Sequence, residues 1–224
     1  MPANIEKYQA ILNDLNPHNV QLIAVSKTKP NEDIIELYNL GQRAFGENYV
    51  QELIDKEASL PKDIQWHFIG HLQSNKVKYI APFVHLIHGV DSEKLLQEIN
   101  KQAIKQNRTI DCLLQVHIAK EETKFGFDAD SISELIQSGR LANYSNIRIK
   151  GLMGMASFSE DTSLLTKEFS TLKQIFDQSF IQLGSSDFTI LSMGMSSDYA
   201  LAISLGSNMV RIGSLLFGTR NYSK

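Results

Sequence analysis

The chain has 224 residues, 42% of them hydrophobic and 21% charged, with a net charge of -3. That length is near the upper size for one core, and the charge leaves no basic footprint for nucleic acid. The lone Cys112 excludes a disulfide framework and fits a reducing cytoplasm. No apolar run approaches the roughly 20 residues that cross a bilayer. The polar opening Met1-Pro2-Ala3-Asn4 does not read as a signal peptide. No Pro- or Ser-rich linker divides the chain, so one domain over residues 1–224 is expected.

Ile5, Tyr8, Leu12 and Leu15 recur at helical spacing ahead of Pro17, which predicts a helix before the first strand. Leu22-Ile23-Ala24-Val25 then runs into Ser26-Lys27, a buried parallel strand expected to end at Lys27. Asn31 is a candidate N-cap for a helix with Ile34, Leu37 and Leu40 inside and Gly41 past its end. Strands follow at Ala44–Asn48, Gln65–Gly70, Val84–Val90, Cys112–Ile118, Ile147–Met153, Phe188–Met193 and Met209–Ser214. Helical patterns separate them: one from Val50, one over Ser74–Ile80, and one capped by Asp91 or Ser92. A charged loop over Ala119–Asp128 precedes a short helix with Ile132 and Leu135. Thr162–Ile181 reads as a long amphipathic helix and Ser197–Leu205 as a shorter one. Strand and helix alternate through eight strands, which predicts a (β/α)8 barrel with an added N-terminal helix. An open doubly wound sheet is the alternative, although strand 1 ends in Lys27 and not in a Gly-rich phosphate turn.

In such a barrel the strand C-termini share one rim, where sites are built. The rim residues are Lys27, Asn48, His71, Asp91, Met155, Ser192-Met193-Gly194 and Arg211-Ile212-Gly213-Ser214. Strand alternation puts Lys27 on the face of Ile23 and Val25. Desolvation there favours a neutral amine able to form a Schiff base; the plainer alternative is an ammonium that snorkels to the rim. Ser192, Gly194, Gly213 and Ser214 follow strands 7 and 8, the customary phosphate corner of this fold, which favours an anion site over tight turns only. Arg211 could face a pyridine nitrogen or make a structural salt bridge. A lysine, a phosphate corner and an arginine together suggest pyridoxal 5′-phosphate (PLP) as ligand.

Seven segments carry a family resemblance. They are Ala24–Pro30, Phe45–Glu52, Trp66–Lys76, Lys124–Phe127, Gly151–Met153, Ser192–Asp198 and Val210–Gly213. In order and almost end to end, they resemble the pyridoxal phosphate homeostasis (YggS/PROSC) family. The resemblance implies a barrel similar to the N-terminal domain of alanine racemase. It also implies a cofactor aldimine on Lys27 and a part in handling the vitamin B6 pool without established turnover. The cofactor-binding set expected on this basis is Lys27, Asn48, Ser192, Met193, Gly194, Arg211, Gly213 and Ser214. The protein would be cytoplasmic and monomeric, with transient transfer to PLP-dependent apoenzymes and no nucleic-acid or membrane partner. Phe125 departs from the family's small or polar residues.

Rival readings have less behind them. His67/His71 and His85/His88 lack the Glu of a zincin motif, and His67 reads as a satisfied core histidine. Cys112 reads as a small buried residue, and Lys124 as a loop charge or a second anion site. A small PLP-dependent racemase would need a base on each face of Cα. Lys27 supplies one. Tyr49 and Tyr199 are the rim tyrosines, and no residues are expected after strand 8 for a second domain.

Overall fold

The computed structural model describes residues 3–120 and 125–218. Eight parallel strands close into a barrel in chain order. They are β1 (Gln21–Val25), β2 (Ala44–Glu47), β3 (Gln65–Phe68), β4 (Leu86–Val90), β5 (Ile110–Val116), β6 (Ile147–Gly154), β7 (Ile190–Ser192) and β8 (Met209–Ile212). The seam is shut by β1 against β8, which pairs Ile23 with Arg211 and Ala24 with Ile212. The helices are α1 (Ile5–Leu15), α2 (Asn31–Asn39), α3 (Val50–Ser59), α4 (Val77–Ile80), α5 (Glu93–Lys105), α6 (Ala129–Gln137), α7 (Thr162–Leu183), α8 (Tyr199–Ser204) and α9 (Ser214–Phe217). This is the (β/α)8 barrel with an additional N-terminal helix that the alternation predicts.

Two cores follow from the two faces of each strand. Inside the barrel, Ile23, Ala44, Leu86, Leu113, Met153 and Met209 form one apolar cluster. Outside, the alternate residues, such as Leu22 and Ala24 on β1, join the helices in a larger cluster. Burying each such Leu or Ile side chain contributes about 1.5–3 kcal/mol. Asn4 starts α1 by accepting from the Lys7 N–H at 2.9 Å. Tyr8, Ile11 and Leu15 are its buried face. Its neighbours include α9, whose Leu216 carbonyl accepts from the Asn4 N–H at 2.7 Å.

Several boundaries differ from expectation for identifiable reasons. β1 stops at Val25, and a turn carries Lys27 and Thr28. Pro30, and not Asn31, stands at the N-cap of α2; Asn31 instead donates to the Ser59 hydroxyl at 3.0 Å. Asp198 precedes α8, and its carboxylate accepts from the Met195 N–H at 2.5 Å, which tightens the loop and delays the helix. The chain does not end at β8, because α9 follows it.

Candidate functional site

A cavity of about 430 Å³ opens at the C-terminal mouth of the barrel. Its lining includes Lys27, Asn48, Ser196, Ser197, Arg211 and Gly213. Lys27 is half-buried, beyond the buried apolar stretch of β1. Lys29 also borders the cavity, but it is not the solvated residue its position before Pro30 suggests. Its amine donates to the carbonyls of Phe217 at 2.5 Å and Gly218 at 3.4 Å, so α9 supplies its partners. Asn48 Oδ1 is buried and has no hydrogen-bond partner among the described residues.

Arg211 projects from β8 and is 4% exposed. Its Nη1 donates to the Ser192 carbonyl at 2.9 Å and the Ser192 hydroxyl at 2.6 Å, and its Nη2 to the Gly154 carbonyl at 3.0 Å. Burial pushes its pKa down to about 10, opposed by the attraction of Asp198, so it is a cation at neutral pH. The described bonds of Arg211 run to oxygens of β6 and β7, not to a carboxylate, so a structural salt bridge is not its role here.

Ser192 was expected beside a phosphate. The structure turns it elsewhere: it is wholly buried, it accepts from Arg211, and it lies 3.3 Å from His88 Nδ1. Met193, on the opposite face, packs in the outer cluster. Gly194 takes a left-handed φ of +97°, and a Cβ there would lie 2.7 Å from that of Ala202; its task is the turn. None of the three lines the cavity. The next residues, Met195, Ser196 and Ser197, do, opposite Gly213 and Ser214. The Ser196 hydroxyl accepts from the Gly213 N–H at 3.3 Å, so the two loops meet. β7 ends at Ser192, which moves the lining downstream. The run Met195-Ser196-Ser197-Asp198 was the signal available for this.

His71 and Asp91 pair at 3.0 Å on the rim outside this cavity. His67 is only half satisfied: Nδ1 meets His88 Nε2 at 2.9 Å, while Nε2 has no partner among the described residues. No group of three or more His, Cys, Asp or Glu among the described residues is placed to hold a metal. Cys112 is buried, and burial pushes its thiol pKa far up. Lys124 lies outside the described residues.

The site now has a context among known proteins. The family model for the alanine racemase N-terminal domain matches residues 1–221. That defines the class, a barrel of the alanine racemase N-terminal domain type. Within it, a protein of Pasteurella multocida named pyridoxal phosphate homeostasis protein is 38% identical over 210 residues, 92% of this chain and 88% of its own. The chain belongs to the pyridoxal phosphate homeostasis protein family. PipY of Synechococcus elongatus, solved with PLP bound and without it, is 37% identical and covers 95% of this chain and 99% of its own. Its TM-scores are 0.86 with PLP and 0.88 without. Alanine racemase of Clostridium difficile matches with a TM-score of 0.78 at 15% identity, over 100% of this chain and 60% of its own, a likeness of fold.

Proposed function

We propose that this protein holds pyridoxal 5′-phosphate in the barrel-mouth cavity, covalently through Lys27, and serves as a binder and carrier in PLP homeostasis. The observation that carries the reading is one shared cavity. It brings together the half-buried Lys27, the buried cation Arg211 and the facing loops of Ser196, Ser197, Gly213 and Ser214. The cofactor supplies an aldehyde, with which a primary amine condenses with loss of water, and a phosphate. The residues present fit those groups. Lys27 is the amine, and the small-residue loops after β7 and β8 suit the anion. Asn48 Oδ1, buried without a described partner, is a polar atom that a ligand would satisfy. Arg211 retains part of its donor set for the ring and, as a cation, disfavours a protonated pyridine nitrogen.

Racemase chemistry has little support here. Tyr199 donates to Asp14 at 2.9 Å, tying α8 to α1, and Tyr49 is exposed; neither lines the cavity. No helix among the described residues is long and apolar enough to cross a membrane. In this reading the protein works as a monomer in the cytoplasm and passes cofactor transiently to PLP-dependent apoenzymes. The test is the visible spectrum of the purified protein, then borohydride reduction and peptide mass mapping. A reducible chromophore mapping to Lys27 is expected. A colourless protein that takes up no added PLP overturns the reading.

A further inference from the structure

Lys27 sits between two residues that are held by the same buried charge network. Glu47, at the end of β2, is fully buried. Its Oε1 accepts from the Ser26 hydroxyl at 2.6 Å and from Lys56 Nζ at 2.8 Å. Lys56 also donates to the Ser26 carbonyl at 2.8 Å and to Glu52 Oε1 at 2.6 Å. Glu52 Oε1 in turn accepts from the Thr28 N–H at 2.6 Å. The residue before Lys27 is thus held through its side chain and carbonyl, and the residue after it through its N–H.

We propose that Glu47, Lys56 and Glu52 are positioning residues that aim the Lys27 amine into the mouth cavity by clamping Ser26 and Thr28 on either side of it. Two observations favour this over a purely structural ion cluster. Thr28 has a φ of +63°, a conformation that a β-branched residue holds only when its surroundings impose it. The Lys29 N–H closes this turn on the Ser26 carbonyl at 3.0 Å, and Glu52 holds the Thr28 N–H within it. Second, burying charges is a poor source of net stability, since well-packed apolar residues commonly do as well. The three bonds of the Lys56 ammonium use its full donor set, and all converge on the turn that carries Lys27. The direction of that side chain is what the network secures.

This inference rests on the proposed PLP reading, and the test separates the two. The probes are PLP and pyridoxine 5′-phosphate, which keeps the ring and phosphate but has a hydroxymethyl group in place of the aldehyde. The readouts are the rate at which PLP develops the borohydride-reducible band, the affinity for pyridoxine 5′-phosphate and the melting temperature. Glu52→Ala should slow covalent capture about tenfold, the scale of a lost hydrogen bond to a charged group, with pyridoxine 5′-phosphate affinity unchanged within about twofold. Glu52→Gln keeps an acceptor for Thr28 and should recover most of the rate. Ser26→Ala, a milder change that removes only the hydroxyl bond to Glu47, should slow capture about threefold in a folded protein. Capture at the wild-type rate in folded Glu52→Ala or Ser26→Ala overturns the inference, as does loss of both ligands in equal proportion. Wild-type protein that captures no PLP overturns the functional reading itself.

Discussion

His67 Nδ1 and His88 Nε2 lie 2.9 Å apart inside the barrel, with both rings out of contact with water. Arg211 has only donors, so Ser192 Oγ accepts from it, and the same oxygen lies 3.3 Å from His88 Nδ1. His67 Nε2, at the far end, has no partner among the described residues. A polar thread therefore runs from Arg211 into the barrel and ends in an unpaired ring nitrogen.

These imidazoles predict how stability depends on pH. Burial is the main cause of a His67 pKa pushed down to about 3, with a smaller contribution from His85. His88 lies well below the ordinary value through burial, then through His67, Arg211 and His85. In the unfolded chain both take up a proton near pH 6.5. Between there and about pH 3 the unfolded state binds more protons, so stability rises with pH. The stabilisation is complete above about pH 6.5 and is lost as the pH falls toward 3. Each imidazole contributes at most about 1.4 kcal/mol per pH unit. Urea titrations from pH 6.5 to 5 should show that fall, and His67→Gln, with one titrating ring fewer, a shallower one. An unchanged slope in His67→Gln would place the pH dependence elsewhere.

Ser192→Ala should weaken the fold by about 1–3 kcal/mol, because it strips a partner from both Arg211 and His88. It should reduce retention of PLP and of phosphate-free pyridoxal by similar factors, since the hydroxyl faces Arg211 and not the phosphate corner. Denaturant midpoints and equilibrium dialysis with the two ligands check this. A loss confined to PLP would return Ser192 to the phosphate.

The contrast shows what a linear reading can reach. The eight strands were legible because apolar runs and turn residues are local signals. The mouth position of Lys27 is legible from the apolar run before it and from the rim rule for barrels; strand parity does not reach it, because β1 ends at Val25. Ser192 ends β7 and turns to partners on β4 and β8, which no local pattern announces. The end of β1 was misplaced for the same reason. Ser26 and Thr28 are held by Glu47, which ends a strand, and by Glu52 and Lys56, which look like ordinary surface charge in a helical sequence. Asn31 matched the composition of a cap, but the extended backbone of Pro30 occupies that position.

At Gly213 a Cβ would sit 3.2 Å from both the Cβ and the carbonyl oxygen of Val25. The loop after β8 therefore passes close against the end of β1, beside Lys27. Gly213→Val would push that loop outward, at a cost of about 1–3 kcal/mol for overpacking. PLP retention should fall while the Lys27 amine still reacts with free pyridoxal. Comparing adduct yields for the two aldehydes after reduction measures this. Equal loss for both would count against an anion site on this loop.

The last prediction separates the two lysines that border the cavity. Lys27 and Lys29 both lie beyond the end of β1, so strand parity cannot rank them. Their surroundings can. Lys29 Nζ is held by the Phe217 and Gly218 carbonyls, which anchor it against the end of α9. Lys27 follows the buried end of β1, and β1 pairs directly with β8, so it stands next to the loop of Gly213 and Ser214. A rigid ring anchored by its phosphate on that loop would present its aldehyde at this edge. Lys27→Ala should therefore lose the reducible chromophore while staying folded and keeping some non-covalent ligand. Lys29→Ala should keep the chromophore and instead lose about 1–2 kcal/mol of stability, as charged hydrogen bonds to α9 disappear. Absorbance before and after borohydride, peptide mapping and thermal melts of the two variants decide the matter. An adduct that maps to Lys29, or that persists in Lys27→Ala at wild-type yield, would reverse the assignment.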